Sequence, residues 1–312
     1  MSLVINHNLM AMNAQRNLSE HYGRLGVSTR RLSSGLRVGT AADDAAGLAI
    51  RELMRSEISS LHQGIRNASD AISLIQTADG ALQVVDEKLI RLKELAMQAS
   101  TGTYNSDQRM IIDSEYQAMC SEITRIANAT DFNGIYLLNG NLSGRPGGSP
   151  IGDHDGTGLQ PTGPLKIHFG TGNDSSEDYY YVAIQGSTAS SFGLGHSAAL
   201  KNGDTWEAQN AGKSISTQGL AQAAMDAINK AIISKDKIRA NLGSMQNRLE
   251  NTITNLEIQA ENLQAAESRI SDVDVAQEMT EFVRNQILTQ SAVAMLAQAN
   301  SLPRMAMQLI GG

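Results

Sequence analysis

The residues of this 312-residue sequence that are typed and spaced for chemistry are few. Asp43 and Asp44 form a carboxylate pair of the kind that general acid–base chemistry uses. They stand in TAADDAAG with no His, Cys or Ser partner near them in sequence, at an expected helix start. Carboxylates there cap free N–H groups and meet the positive end of the helix dipole, so capping or a subunit contact is the expected role. The six histidines (His7, His21, His62, His154, His168 and His196) show neither HxxxH nor HExxH spacing, and no zinc site is expected. GDHDGTG places Asp153, Asp155 and Gly156 in the manner of a calcium loop, but it lacks the third acidic position and the distal Glu. A solvated loop is expected instead. The single Cys120 cannot close an intramolecular disulfide, and in MIIDSEYQAMCSEITRI it reads as a small buried hydrophobe. Asn17, Asn67, Asn128, Asn141 and Asn173 begin formal glycosylation sequons, which this spacing alone does not make functional. No catalytic residue, metal or cofactor is assigned.

Composition narrows the classes further. The net charge of -7 is spread with both signs interleaved, so nucleic acid is not an expected partner. No apolar run approaches the ~20 residues that span a bilayer, and MSLVINHNLM lacks the basic and long apolar regions of a cleaved signal. No membrane partner is expected. Aromatic residues are only 4% of the chain, which suits long, thin helices packed through small side chains better than a compact globule.

Periodicity describes those helices. Leu242, Leu249, Leu256, Leu263 and Ile270 recur every seven residues, interleaved with Ile238, Met245, Thr252, Gln259, Ala266 and Val273. Two of these seam positions, Thr252 and Gln259, are polar, which weakens a seam while fixing its register. In the N-terminal half, Val4, Ala11, Leu18, Leu25 and Leu32 keep a strict seven-residue step. A second stripe runs Met54, Ile58, Leu61, Ile65, Ala68, Ile72 and Ile75, slips phase near Ala78, and resumes as Leu82, Val85, Leu89, Leu92 and Ala96. A third is Ile112, Tyr116, Met119, Ile123 and Ile126. Between them STGTYNSDQ is a turn, with Gly102 expected as a C-cap and Ser106 as an N-cap. Near the C-terminus Met279, Val283, Ile287, Ala294 and Ala297 form a further stripe. From Asn139 to about Gly219 the chain is Gly-rich and holds four of its five prolines, which excludes long helices. Within it Leu165 to Gly170 and Tyr179 to Gln185 read as strands of a hairpin joined by TGNDSSED. The expected fold is mainly α: an elongated antiparallel bundle or coiled coil of the N- and C-terminal segments, with a small central insertion carrying a β-hairpin. About forty residues of helix measure roughly 60 Å, so a rod is expected.

Specific words in the sequence resemble one family. LSSGLRVGTAADDAAGLAI (Leu32 to Ile50) looks like the signature of bacterial flagellins, as does VINHNLMAMNAQRNL. IRLKELAMQAS, DFNGIYLLNG, LGSMQNRLENTITNL, SRISDVDVAQEMTEF and QILTQSAVAMLAQANSLP match in the same order, over roughly residues 1–140 and 217–310. The resemblance implies a subunit that self-assembles into the helical filament of the flagellum, with no enzymatic activity. It implies an inner coiled-coil layer, D0, from residues 1–42 and 272–312, and a helical rod, D1, from 43–140 and 217–271. The Gly-rich segment 141–216 would complete D1, with no separate outer domains D2 and D3. The stripes Val4, Ala11, Leu18, Leu25 and Leu32, and Met279, Val283, Ile287, Ala294 and Ala297, would then be polymerisation surfaces. The implied partners are further copies of the chain, an export chaperone at the C-terminal helix, a distal cap and the hook-filament junction proteins. Secretion to the cell exterior would occur without signal cleavage. RLKELAMQ matches the segment recognised by Toll-like receptor five of animals, so Arg91, Leu95 and, on the next helix, Glu115 become recognition candidates. Two rivals are a hook-filament junction protein and an enzyme carried in the central insertion. About 75 Gly-rich residues without a nucleophile or metal constellation are a poor host for the latter.

Overall fold

A computed structural model of the chain describes residues 8–143, 163–174, 177–195 and 212–310. Among them are helices α1 (Leu9–Ser34), α2 (Ala45–Ser100), α3 (Ser106–Ala129), α4 (Gln218–Ser271) and α5 (Val275–Ile310). Between α3 and α4 lie the strand pairs β1 (Asp131–Phe132) with β2 (Ile135–Tyr136), and β3 (Leu165–His168) with β4 (Tyr179–Val182), both antiparallel. The mainly helical fold with a β-hairpin is as the sequence indicates. Val4, His7, the GDHDGTG loop with Asp153, His154, Asp155 and Gly156, and His196 lie outside the described residues. Two compact units are present, residues 1–59 with 260–312, and residues 60–259.

The larger unit is built on the stripes of α2, α3 and α4. Leu74, Ile75, Leu82, Val85, Leu89 and Leu92 of α2 share one buried cluster with Ile112, Tyr116 and Ile123 of α3 and Ile228, Ile238, Leu242 and Leu249 of α4. Ala78, at the phase slip, is also fully buried. Its methyl side chain lets the seam continue where a larger residue would meet its neighbours. Two differences from expectation mark the turn into α3. Asn105, not Ser106, is the N-cap, and it forms a reciprocal capping box with Gln108. Gly102 does not take the left-handed conformation of a C-cap. Instead the Arg109 guanidinium donates to the free carbonyls of Ala99 (3.0 Å) and Thr101 (2.9 Å), a cation satisfying the negative end of α2. β1 and β2 turn through Asn133 and Gly134, both at positive φ (51° and 80°), the geometry Asn-Gly favours in a two-residue hairpin.

Two ion pairs set the antiparallel register of α2 and α4. Arg239 grips Asp79 with two bonds of 2.7 and 3.1 Å, and Lys235 reaches Asp86 at 2.5 Å and Asp236 at 2.8 Å. The Lys235 side chain is only 3% exposed. Burial alone would lower its pKa, but the bonds to Asp236 and Asp86 overcome that and raise it. The Arg239 bond holds Asp79 below the ordinary 3.8. A depressed carboxylate contributes stability above its unfolded pKa and loses it as pH falls through the folded value. Asp79→Asn should therefore lower the thermal midpoint of the monomer between pH 5 and 8 (about a unit or more above the ordinary carboxylate pKa). The gap to wild type should close as pH falls below 3.8. A gap independent of pH would show that the pair contributes nothing through its charge.

The β3–β4 hairpin lies on this unit through backbone contact. Gly64 of α2 faces the Phe169 carbonyl, where a Cβ would stand 2.0 Å from the oxygen, and Asn67 Nδ2 donates to the His168 carbonyl at 2.8 Å. The side-chain amide of this sequon is thus engaged in packing. Tyr180 of β4 covers α4, with Arg248 3.9 Å from its ring centroid and Thr252 hydrogen-bonded to its hydroxyl. The polar seam residue Thr252 therefore has a partner from the insertion.

Candidate functional site

The smaller unit contains the terminal helices. α1 and α5 pack antiparallel: Asn8, the N-cap of α1, donates from Nδ2 to the Ala299 carbonyl (2.7 Å), and at the other end Arg31 meets Glu278 (3.5 Å). The face that α1 offers is the expected stripe, with Ala11, Leu18, Leu25 and Leu32 all half-buried. The face that α5 returns is not. Phe282, Asn285, Thr289, Ala292, Leu296 and Ala299, alternating three- and four-residue steps, are the buried or half-buried positions. Met279, Val283, Ile287, Ala294 and Ala297 are exposed and lie on another side of the helix. The apolar stripe of α5 is therefore not the face that packs on α1. Two members of the true seam are polar and two are Ala, so hydrophobicity alone hid a regular heptad spacing that a step count reveals. The seam is correspondingly weak: Thr289 spends its hydroxyl on the Asn285 carbonyl, and buried His21 Nδ1 and Arg31 Nε have no hydrogen-bond partner.

This pair buries polar side chains and leaves apolar ones outside. Besides the Met279–Val283–Ile287 line, Leu9, Met10, Met12 and Tyr22 of α1 and Val275, Leu288, Val293 and Met295 of α5 are exposed. Exposed apolar side chains gathered on one helix pair mark a candidate interaction surface.

The signature around residues 32–50 forms the joint between these helices and their neighbours. α1 ends at Gly35, whose φ of 72° is the left-handed C-cap conformation, and the Arg31 carbonyl accepts from its N–H. Arg37 then bonds Ser271 through its backbone N–H and Ile270 through its guanidinium, both at 2.6 Å, while Val273 N–H returns to the Gly35 carbonyl at 3.0 Å. Buried Arg51 donates to the Val38 carbonyl at 2.7 Å. Asp44 caps α2 by accepting from Gly47 N–H (2.9 Å), and a Cβ on Gly47 would collide with that carboxylate. Asp43 accepts from the Thr40 hydroxyl and backbone N–H and from Arg30. The Thr40 hydroxyl foremost, and Arg30 beyond it, hold its pKa below 3.8. Both carboxylates are thus committed to capping and turn geometry, as expected. The roles of Arg37 and Arg51 were not read from sequence, because the carbonyls they reach are in the linker and at the end of α4.

The other candidate residues separate. Arg91 is exposed and holds Glu115 at 2.7 Å and Glu94 at 3.0 Å, which ties α2 to α3. Leu95 does not share that surface. It is 1% exposed, inside the cluster. Its neighbours Leu92, Ala96 and Ala99 are buried with it, a broader buried face than one thin stripe. Leu95 thus has a packing role in this structure. Leu95→Ala should cost about 2 to 5 kcal/mol by leaving a cavity, read as a fall in denaturant midpoint. Arg91→Ala should leave that midpoint nearly unchanged. Cys120 is buried, as expected, and burial pushes its pKa up to about 12, so the thiolate is suppressed. Near the hairpin a cavity of about 280 Å³ includes Glu177 and Asp178 in its lining. The Asp178 carboxylate accepts from Gly172 and Asp174 N–H groups, which makes it a turn anchor. Among the described residues no cluster of His, Cys, Asp and Glu is placed to hold a metal.

Comparison with known proteins addresses the whole chain. Residues 5–143 match the family described as the bacterial flagellin N-terminal helical region, and residues 225–310 match the bacterial flagellin C-terminal helical region. A flagellin of Halalkalibacterium halodurans is 41% identical over 308 residues, covering 99% of this chain and 100% of the relative. Flagellin FlaB1 of Treponema pallidum is 40% identical over 299 residues, 96% of each chain. Among solved structures, Bacillus cereus flagellin is similar with a TM-score of 0.45 and 27% identity, covering 65% of this chain and 94% of that one.

Proposed function

The chain belongs to the bacterial flagellin family, and from this we propose that its working surface is the outward apolar side of the terminal helices α1 and α5. The protein is a structural subunit of the flagellar filament, and copies of the chain are its partners. What supports placing assembly on this surface is the inverted character of the terminal pair. Met279, Val283 and Ile287 are exposed while Asn285 and Thr289 are buried, so a second apolar layer is needed to remove the exposed side from water. Burying a Val, Ile or Met side chain gains about 1.5 to 3 kcal/mol, and several such residues per subunit favour a polymer over a lone chain.

In this reading residues 1–42 and 272–312 are the inner layer D0. The helix breaks at Gly35 and at residues 272–274 favour that division. Residues 43–140 and 217–271 with the central segment 141–216 are the D1 layer, without separate outer domains. The filament lies outside the cell. An export chaperone on α5, a distal cap and junction proteins would engage the same terminal helices before or at the ends of polymerisation. Arg91 and Glu115, joined on an exposed surface, remain the positions offered to Toll-like receptor five. Negative-stain imaging of the salt-precipitated protein tests the filament reading. It should show continuous filaments, on the order of 100 Å across for radially packed helices of these lengths. Short rings or amorphous material only would contradict it.

A further inference from the structure

We propose that Met12, Met279 and Met295 are oxidation sites whose conversion to the sulfoxide blocks assembly of the subunit, so that polymerisation of the free chain is sensitive to peroxide. The inference rests on the filament reading above. The chain carries 13 methionines, an unusual number beside four Phe and one Trp, and they are not equivalent. Met119, Met225 and Met245 are half-buried against the core of the larger unit. Met12, Met279 and Met295 are 61%, 44% and 63% exposed, on the terminal helices and outside the seam between them, where Met10 and Met305 are exposed as well. Met279 continues the line of Val283 and Ile287. Met295 stands two turns from exposed Leu288, and Met12 one turn from exposed Leu9. These thioethers are open to solvent in the free chain and belong to the surface that polymerisation covers.

The chemistry needs only a hydroperoxide. The sulfur lone pair attacks one peroxide oxygen, the S–O bond forms as the O–O bond breaks, and the departing hydroxide takes the proton of the transferred hydroxyl. Sulfur is oxidised by two electrons, and the peroxide is reduced to water. The product replaces a flexible apolar side chain by a polar one with a strong acceptor oxygen. Where such a sulfur is covered by apolar side chains of a neighbouring copy, the sulfoxide oxygen loses its water without gaining a donor, which weakens the subunit contact. Inside a filament the same sulfurs would be shielded.

Monomer is treated with hydrogen peroxide, sulfoxides are located by peptide mass spectrometry, and the critical concentration for assembly is measured by sedimentation. Treated wild type should need at least tenfold more protein to assemble. Incubation with methionine sulfoxide reductases of both epimer specificities should restore assembly. The Met12→Leu/Met279→Leu/Met295→Leu variant, which conserves volume, should assemble untreated like wild type and keep that ability after peroxide, although exposed Met97 and Met110, and Met10 and Met305 of the terminal helices, remain oxidisable. Preformed filaments should oxidise at the three sites at least tenfold more slowly than monomer. Wild type that carries sulfoxide at all three sites and still assembles at its untreated concentration overturns the proposal. So does a Leu variant inhibited as strongly as wild type, because the damage then acts elsewhere. Should the Leu variant itself assemble poorly, reductase rescue of wild type decides. Failure of untreated wild type to form filaments would strike the filament reading instead.

Discussion

The double variant Val283→Asp/Ile287→Asp should fold as a monomer and fail to polymerise. Both side chains are exposed on α5 and outside the seam with α1, so carboxylates there meet water in the free chain. In the polymer they would be covered by an apolar surface. An uncompensated buried charge costs about 3 to 5 kcal/mol, and each 1.4 kcal/mol is tenfold in affinity. Even one covered carboxylate per subunit should therefore raise the critical concentration by two to three orders of magnitude. Circular dichroism should show unchanged helicity, and sedimentation should show no polymer at concentrations where wild type assembles. Filaments from the double variant at the wild-type concentration would mean that this side of α5 is not covered.

A single methyl group should be enough to unseat the hairpin. Helix propensity alone favours Ala over Gly inside a helix by about 1 kcal/mol, and Gly80→Ala, with open space around it in α2, should gain up to that amount. Gly64→Ala should do the opposite. Its Cβ would sit 2.0 Å from the Phe169 oxygen and 2.8 Å from its carbonyl carbon, both backbone atoms that cannot rotate away. The hairpin must lift, which strains or breaks the Asn67 bond to His168 and loosens buried Phe169 and the Tyr180–Thr252 contact. Overpacking of this kind costs about 1 to 3 kcal/mol, and the lost burial adds to it. The denaturant midpoint should fall for Gly64→Ala and hold or rise for Gly80→Ala. A rise for both would show that the hairpin is not seated on α2.

The long helices were legible because their cores are one-residue-type problems. Leu82, Val85, Leu89 and Leu92, or Leu242 and Leu249, announce themselves by apolar spacing, and they are buried. The terminal seam was not legible by the same rule, because Asn285, Thr289, Ala292 and Ala299 keep heptad spacing without hydrophobicity. The rule therefore selected Met279, Val283 and Ile287, which are apolar and exposed. The burial of Leu95 was not read from the resemblance that singled it out, because it depends on Leu92, Ala96 and Ala99, which widen the buried face of α2 beyond one thin stripe. The β1–β2 turn was written in Asn133-Gly134 and could have been read from that dipeptide. Long-range contacts had no local mark. Arg37 and Ile270 are far apart in sequence, as are Lys235 and Asp86, and charge at one position does not name its partner. Within the joint, Asp44 could be read because capping is a local act.

If assembly covers the terminal helices and stabilises them, hydrogen exchange will distinguish monomer from filament. The seam of α1 with α5 combines half-buried Ala11, Leu18, Leu25 and Leu32 with polar Asn285 and Thr289, which is thin support for helices of 26 and 36 residues. In the monomer, amides of residues 9–34 and 275–301 should exchange far faster than those of residues 74–96 and 228–249, whose side chains form the large core. In the filament the same terminal amides should slow by about a hundredfold or more, equivalent to roughly 2.8 kcal/mol of added protection. Terminal amides already as protected in the monomer as the core, or left fast in the filament, would show that assembly does not order these helices.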